Sequence, residues 1–306
     1  MWLDSLMKGR AALRRFVMNE QLNFLLTNRV PRIALTRLMG HVSRIEHPGF
    51  ARQAIRVWTL FTVLDLSDAA RTDFRSLRDC FTRELQPGAR VVDPREDVLA
   101  SPCDAIVGSV GVVQAGQVFQ AKGYPYNAAE LFGRVDGAEA FEGGRYITLR
   151  LTSAMYHRFH APCDATVEHV TYISGDTWNV NPIALKRVER LFCRNERAVI
   201  RMRTRQGEPM ALVPVAAILV ASMRLRFLDV LLHLRYRGPN EMPCSVAVRK
   251  GEELGWFEHG STIIVFVPPG FELAPGVVSG MGVRMGEALV VRLPGAAGHR
   301  SVTPAS

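Results

Sequence analysis

The feature that most constrains this chain is a change of hydrophobic period near Pro94. From Trp2 to about Leu85 apolar residues recur every three or four positions: Leu3, Leu6, Met7, Leu13, Phe16, Val17, Leu22, Leu25 and Leu26, then Ile33 through Leu38, Val42 and Ile45. That spacing keeps one face of a helix apolar. Ala51 to Leu64 predicts a third, more apolar helix, and Ser76 to Leu85 a fourth that stops before Pro87-Gly88. After Pro94 the period falls to two. Arg145–Leu151, Ala165–Ile173, Ala198–Arg203, Cys244–Arg249, Ser261–Val267 and Ala288–Leu293 predict short strands parted by Gly, Pro, Asn and Asp. The expectation is an α+β fold: an N-terminal amphipathic helical region over 1–88, a β-rich, sandwich-like domain over 89–293, and a flexible tail over 294–306.

Charge follows the same division. The 306 residues carry a formal +9, and residues 1–60 hold ten bases against three acids, which leaves the remainder nearly neutral. A basic amphipathic surface of this kind suits an anionic membrane, or a helical subdomain packed on the rest of the chain. The strongly apolar uncharged run Pro209 to Met223 is 15 residues and contains Pro214. It is short of the roughly 20 residues that span a bilayer as a helix. Lys8, Arg10, Arg14 and Arg15 precede any apolar stretch long enough for a signal-peptide core, which predicts retention in the cytosol. Five widely spaced cysteines without Cys-x-x-Cys indicate neither a disulfide framework nor a zinc knuckle.

Three segments carry chemistry. Tyr156-His157-Arg158-Phe159-His160-Ala161-Pro162 sets two imidazoles three residues apart at the end of a strand pattern, where a general acid or base is expected. The alternatives are one structural histidine, or a zinc pair completed by Cys163 or His169; no convincing third ligand supports the latter. Lys250-Gly-Glu-Glu-Leu-Gly-Trp-Phe-Glu-His-Gly260-Ser261-Thr262 runs from a glycine-punctuated turn into a strongly apolar strand. A serine directly after a glycine has an unhindered carbonyl before its own hydroxyl, so Ser261 Oγ is free to attack Gly260; Gly-Ser-Thr is equally a common turn. Ser101-Pro-Cys-Asp104-Ala places a carboxylate in a tight turn, as a site residue or a backbone cap. Gly175 to Asn181 and Asn195-Glu-Arg197 are polar clusters that line a site or form turns.

Together these segments resemble a known family. Ser-Pro-x-Asp-Ala at 101–105, Lys122-Gly-x-x-Tyr126, Tyr156-His-Arg-x-His-x-Pro162, Gly175-Asp-x-x-x-Val-Asn181, Asn195-Glu-Arg197, Lys250-Gly-Glu-x-x-Gly-x-Phe257 and Gly260-Ser-Thr262 follow the order and spacing of the phosphatidylserine decarboxylases, over roughly residues 30 to 293. The resemblance implies a proenzyme that cuts itself at Gly260–Ser261, giving a β chain of 260 residues and an α chain of 46. Ser261 becomes a covalent pyruvoyl group, the only cofactor, which forms a Schiff base with phosphatidylserine and yields phosphatidylethanolamine and CO₂.

By the same resemblance, His160 is the base on Ser261 and Asp104 holds its tautomer. His157 protonates the product carbon and recognises the carboxylate, and Tyr156, Arg158 and Asn195 contact substrate. No metal and no nucleic acid are implied; the partners are an anionic phospholipid membrane, met at the cytoplasmic face of the inner membrane as a peripheral protein, and a second copy in a homodimer. Alternatives are a pyruvoyl decarboxylase of another amine lipid or amino acid, or a membrane-bound scaffold that keeps the fold without cutting. Met155, His259 and the alanines at 216, 217 and 221 depart from the family pattern and bear on the efficiency of maturation.

Overall fold

The computed structural model describes residues 20–28, 30–60, 62–121, 124–134, 137–219, 222–258 and 261–295. Gly260, Lys122-Gly123, Ala221, most of the expected tail and the first 19 residues of the helical region lie outside them. Four helices open the described chain: α1 (Glu20–Asn28), α2 (Arg32–Val42), α3 (Pro48–Thr59) and α4 (Leu77–Phe81).

The strands follow as β1 (Val98–Ala100), β2 (Ala105–Val112), β3 (Gln117–Ala121), β4 (Tyr124–Asn127), β5 (Arg145–Leu151), β6 (Arg158–His160), β7 (Ala165–Ile173), β8 (Arg197–Thr204), β9 (Pro209–Val215), β10 (Ser222–Leu225), β11 (Val230–His233), β12 (Glu241–Val248), β13 (Glu253–Phe257), β14 (Ser261–Val267), β15 (Phe271–Leu273), β16 (Gly282–Val283) and β17 (Ala288–Arg292). The expected α+β class holds.

An eight-stranded antiparallel sheet, ordered β12-β7-β8-β9-β14-β5-β2-β16, is the middle layer. Its central strand β14 is buried at every residue, which is why Thr-Ile-Ile-Val-Phe-Val shows no polar alternation. Ile263, Val265 and Val267 enter one core with Ile147, Leu149 and Leu212; Ile264 and Phe266 enter a second with Tyr146, Val213 and Ala211. The first core is closed by a four-stranded sheet, β11-β10-β13-β6, and a three-stranded sheet, β1-β17-β15. The second is closed by the β3–β4 hairpin and by short helices at Ala128–Phe132, Pro182–Leu185 and Leu191–Arg194. The sandwich is thus sheet on sheet on one side and helix on sheet on the other.

Local chemistry explains where the elements depart from the sequence pattern. α3 begins three residues before the expected Ala51, because Pro48 occupies the first turn and His47 Nδ1 accepts from Phe50 N–H at 3.1 Å. It ends at Thr59 rather than Leu64. α4 is capped by Ser76 Oγ, which accepts from Asp79 N–H at 3.1 Å, and stops at Phe81; Leu85 instead bridges to Ala69. β12 starts at Glu241 and runs through Pro243, a residue tolerated because this is an edge strand with a bulge after Pro243.

The helical region is tied to the β-rich body at several points. Arg32 forms a two-pronged pair with Asp176, Leu219 N–H donates to Thr36 Oγ1 at 2.9 Å, and Arg83 Nη2 donates to the Ala154 carbonyl at 3.0 Å. Trp58 of α3 stands edge-on to Phe81 of α4, with ring centres 4.4 Å apart.

Candidate active site

The two histidines lie on one ladder, at opposite ends. β6 pairs with β13 so that His160 faces Glu253, Phe159 faces Gly255 and Arg158 faces Trp256, and Phe257 N–H donates to the His157 carbonyl at 2.9 Å. His157 is therefore at the end of the ladder nearer the Gly260–Ser261 bond, and His160 three residues further back. Gly255 is required where β13 passes β10: a Cβ there would lie 2.0 Å from the Arg224 carbonyl oxygen.

His160 is 7% exposed, and its two ring nitrogens are both engaged. Nδ1 lies 3.0 Å from the Gly251 carbonyl oxygen, which can only accept, so Nδ1 carries the proton. In the neutral ring Nε2 is then the acceptor, and Tyr156 Oη donates to it at 3.0 Å. Burial pushes the His160 pKa below its ordinary value, against the opposing pull of the Gly251 bond and of the Glu253 and Asp104 charges, which favours the neutral ring. Gly251 holds its carbonyl in place from a turn with φ of +81°, a conformation that suits a residue without Cβ.

Asp104 is 8% exposed and its carboxylate is fully occupied. Arg90 donates to both oxygens, Nε to Oδ1 at 2.9 Å and Nη2 to Oδ2 at 2.5 Å, and Met285 N–H donates to Oδ1 at 2.9 Å. The tautomer of His160 is thus held by the Gly251 carbonyl, and Asp104 acts on the ring through its charge rather than through a bond. Arg90 carries no sequence signal, being one loop arginine among many after Pro87-Gly88; only folding sets it opposite a carboxylate 14 residues on.

Ser261 opens β14, opposite Leu151 of β5, and is 0% exposed. Its hydroxyl has no hydrogen-bond partner among the described residues. His157 is also 0% exposed, with its ring edge-on to Phe81 at 6.1 Å between centres. Three residues before Ser261, Glu258 is clamped by Arg44, just past the end of α2, by Arg78 of α4 and by Ser222 Oγ, at 2.9, 2.7 and 3.0 Å. Glu258 was not among the residues that the sequence motifs single out.

Arg158 and Asn195 are committed elsewhere. Arg158 donates twice to the Thr82 carbonyl and once to Glu253, and lies over the Trp256 ring. The Asn195 amide donates to the carbonyls of Trp178 and Ala216 and accepts from Trp178 N–H, pinning the 176–178 loop to the end of β9. Among the described residues no three His, Cys, Asp or Glu side chains gather to hold a metal, and His169 pairs with Glu241 instead.

Comparison with known proteins makes the class plain: this is an enzyme. A model of the family described as phosphatidylserine decarboxylase matches residues 77–291, and the chain belongs to that family. It is 35% identical over 285 residues to the phosphatidylserine decarboxylase proenzyme of Xylella fastidiosa strain M12, covering 88% of this chain and 94% of the relative. The proenzyme of the same name from Chromobacterium violaceum is 36% identical over 286 residues, covering 89% and 99%. That of Brevibacillus brevis is 33% identical over 273 residues, covering 87% and 96%.

Proposed function

We propose that this chain decarboxylates phosphatidylserine to phosphatidylethanolamine, using a pyruvoyl group that it makes from its own Ser261. The observation that carries the reading is the Ser261 hydroxyl, wholly buried at the head of a core strand and without a hydrogen-bond partner among the described residues. Buried hydroxyls are ordinarily bonded. One left free beside the preceding carbonyl is available to attack it. Attack of Oγ on the Gly260 carbonyl moves the acyl group from nitrogen to oxygen. Loss of the resulting ester by β-elimination leaves a carboxylate on residue 260 and a dehydroalanine, which hydrolyses to the pyruvoyl group and ammonia.

That group fits the site, because a side chain with no bond to lose can give up its hydroxyl and become the pyruvoyl methyl, the keto oxygen arising on the α-carbon from water, without stranding a partner. In place, it supplies the conjugated carbonyl that takes up the electron pair released as CO₂ departs. The neutral His160 is the base for the cut, with Asp104 favouring the imidazolium that forms. His157, on the end of the ladder nearer residue 260, delivers the proton to the product carbon and reads the substrate carboxylate.

The lipid is met at a surface. No helix among the described residues is long and apolar enough to cross a membrane. α2 and α3 instead leave Ile33, Leu38, Phe50 and Val57 exposed among Arg37, Arg52 and Arg56. This is the pattern of helices that lie on an anionic leaflet, and we assign the protein to the cytoplasmic face of the inner membrane. The test is a mass spectrum of the purified chain followed by release of CO₂ from carboxyl-labelled phosphatidylserine in vesicles. Two fragments of about 29 and about 5 kDa, with a pyruvoyl terminus on the smaller, are expected; an uncut wild-type chain sinks the proposal. Ser261→Ala should stay whole and inactive.

A further inference from the structure

The strands that flank β14 end beside its first residue, and a cavity sits there. Thr262 pairs with Arg150 of β5 on one side and Val215 of β9 on the other. The cavity, of about 300 Å³, is lined by the residues that follow both strand ends, 150–153 and 217–219, and by the 179–181 loop. It therefore opens at the end of the sheet from which Ser261 starts, with Leu151, the cross-strand partner of Ser261, in its wall and Arg150 and Thr262 on the adjoining second-core face.

Arg150 stands out in that wall. It is half-buried, and among the described residues it makes no hydrogen bond or ion pair. Burial is the sole influence on its pKa, which it lowers; no carboxylate is near enough to raise it. Three more deeply enclosed arginines among the described residues are bonded: Arg83 to the Cys80 and Ala154 carbonyls, Arg90 to Asp104, Arg197 to the carbonyls of Leu131, Cys193, Asn195 and Glu130. A half-buried guanidinium without a counter-charge bears a desolvation cost that a bound anion offsets. The other polar groups at the cavity are uncharged. The Asn179 side-chain NH₂ makes no bond among the described residues, and Ser153 adds a hydroxyl. Opposite Arg150 on the sheet, the buried Thr262 hydroxyl also has no partner among the described residues.

We infer that this cavity is the subsite for the phosphodiester of the lipid headgroup, with Arg150 as the residue that fixes it. The inference rests on the phosphatidylserine reading above, and adds to it which part of the substrate is read and by which residue. A planar guanidinium with parallel N–H groups suits a phosphodiester, which keeps its single negative charge throughout the reaction. A departing carboxylate is poorly served there, since a cation would hold it in the ground state. Arg150 is a positioning residue: it touches the part of the substrate that does not react.

The experiment titrates the full-length wild-type chain, and its Arg150→Gln and Arg150→Lys variants, with glycerophosphoethanolamine and separately with free serine, by calorimetry. Glycerophosphoethanolamine should bind the wild type, and Arg150→Gln should weaken it by about tenfold or more, with Arg150→Lys in between. Melting temperature should be unchanged or higher in Arg150→Gln, because no folded-state partner is lost; a merely structural arginine would lower it. Both variants should cut normally, and on phosphatidylserine micelles KM should rise with kcat little changed. Equal phosphodiester affinity in wild type and Arg150→Gln, or serine binding that responds to Arg150 while glycerophosphoethanolamine binding does not, overturns the assignment. A wild type that binds the phosphodiester through Arg150 but releases no CO₂ would sink the decarboxylase reading and leave the anion subsite standing.

Discussion

Asp104 gives the sharpest test of how the site is built, because its charge has two consumers. It neutralises Arg90, in a pair whose side chains are 8% and 12% exposed, and it favours protonated His160 from a distance. Asp104→Asn preserves an acceptor for Met285 N–H but leaves Arg90 with a buried charge and only Asp68, whose side chain is 39% exposed, to balance it. Removing one partner of such a pair costs about 3 kcal/mol, or roughly 5 °C in melting temperature for a chain of 306 residues. This is best measured in a Ser261→Ala background so that cutting does not intervene.

Failure of Asp104→Asn to cut would therefore not separate a role in catalysis from a loss of fold. The double variant Arg90→Met/Asp104→Leu does separate them. With both charges gone and similar volumes in place, stability should return to within about 1–2 kcal/mol of the parent, the remainder being the orphaned Met285 N–H. Cutting, followed on a denaturing gel, should stay slower than wild type, because the charge that favours the imidazolium of His160 is gone. Wild-type cutting by the stable double variant would refute the electrostatic role and leave Asp104 as the counter-ion of Arg90 alone.

Other outcomes follow from the same geometry. Because burial lowers the His160 pKa, the cutting rate should rise with pH as the ring loses its proton and level off from a midpoint below the ordinary value of 6.5; a midpoint near 8 would exclude a neutral His160 as the base. Glu196, 0% exposed, has its carboxyl pushed up to about 8 by burial, with a Tyr172 Oη bond opposing. The folded state then holds a proton that the unfolded state loses near 4.5. Stability should therefore fall as pH rises from about 4.5 toward 8 and be flat above. Glu196→Gln should abolish that slope in urea titrations, and a slope that survives would show that other groups cause it. Leu38 and Val57 are 59% and 56% exposed. Replacing both with Glu should cut binding to anionic vesicles by more than tenfold, given about 1.5 kcal/mol or more for each large apolar side chain buried in lipid. The Gly260–Ser261 cut should proceed, and unchanged vesicle binding would remove α2 and α3 from the docking surface.

What was legible in the sequence was whatever depended on neighbours along the chain. β5, β7 and β14 occupy the residues their patterns predict, since long strands declare themselves over many positions, by alternation or, in β14, by an unbroken apolar run. β6, β10 and β11 are three or four residues long and exist because a partner strand lies beside them. The site divides in the same way. Tyr156, His157, His160, Asp104 and Ser261 stood out through motif and spacing. What orients them did not: the Gly251 carbonyl on His160, Arg90 on Asp104, and the Arg44 and Arg78 clamp on Glu258 join residues 14 to 214 positions apart. The substrate contacts expected of Arg158 and Asn195 were implied by the family resemblance, and in the fold both side chains bond to the protein's own backbone.

The place of β14 has a consequence for the life of the mature molecule. It is bonded to β9 on one side and β5 on the other, β16 caps the sheet beside β2, and β17 lies between β1 and β15. A cut before Ser261 would thus leave a 46-residue piece woven through two sheets, held by ladders that local fraying does not open. The two pieces would part only when the whole body unfolds. An unfolded molecule would then have to find its lost piece from solution, and would hold no serine at 261 with which to begin again. Maturation by such a cut would be a one-way passage, and the working life of the cut enzyme would be set by the rate at which it unfolds rather than by the equilibrium between folded and unfolded chains.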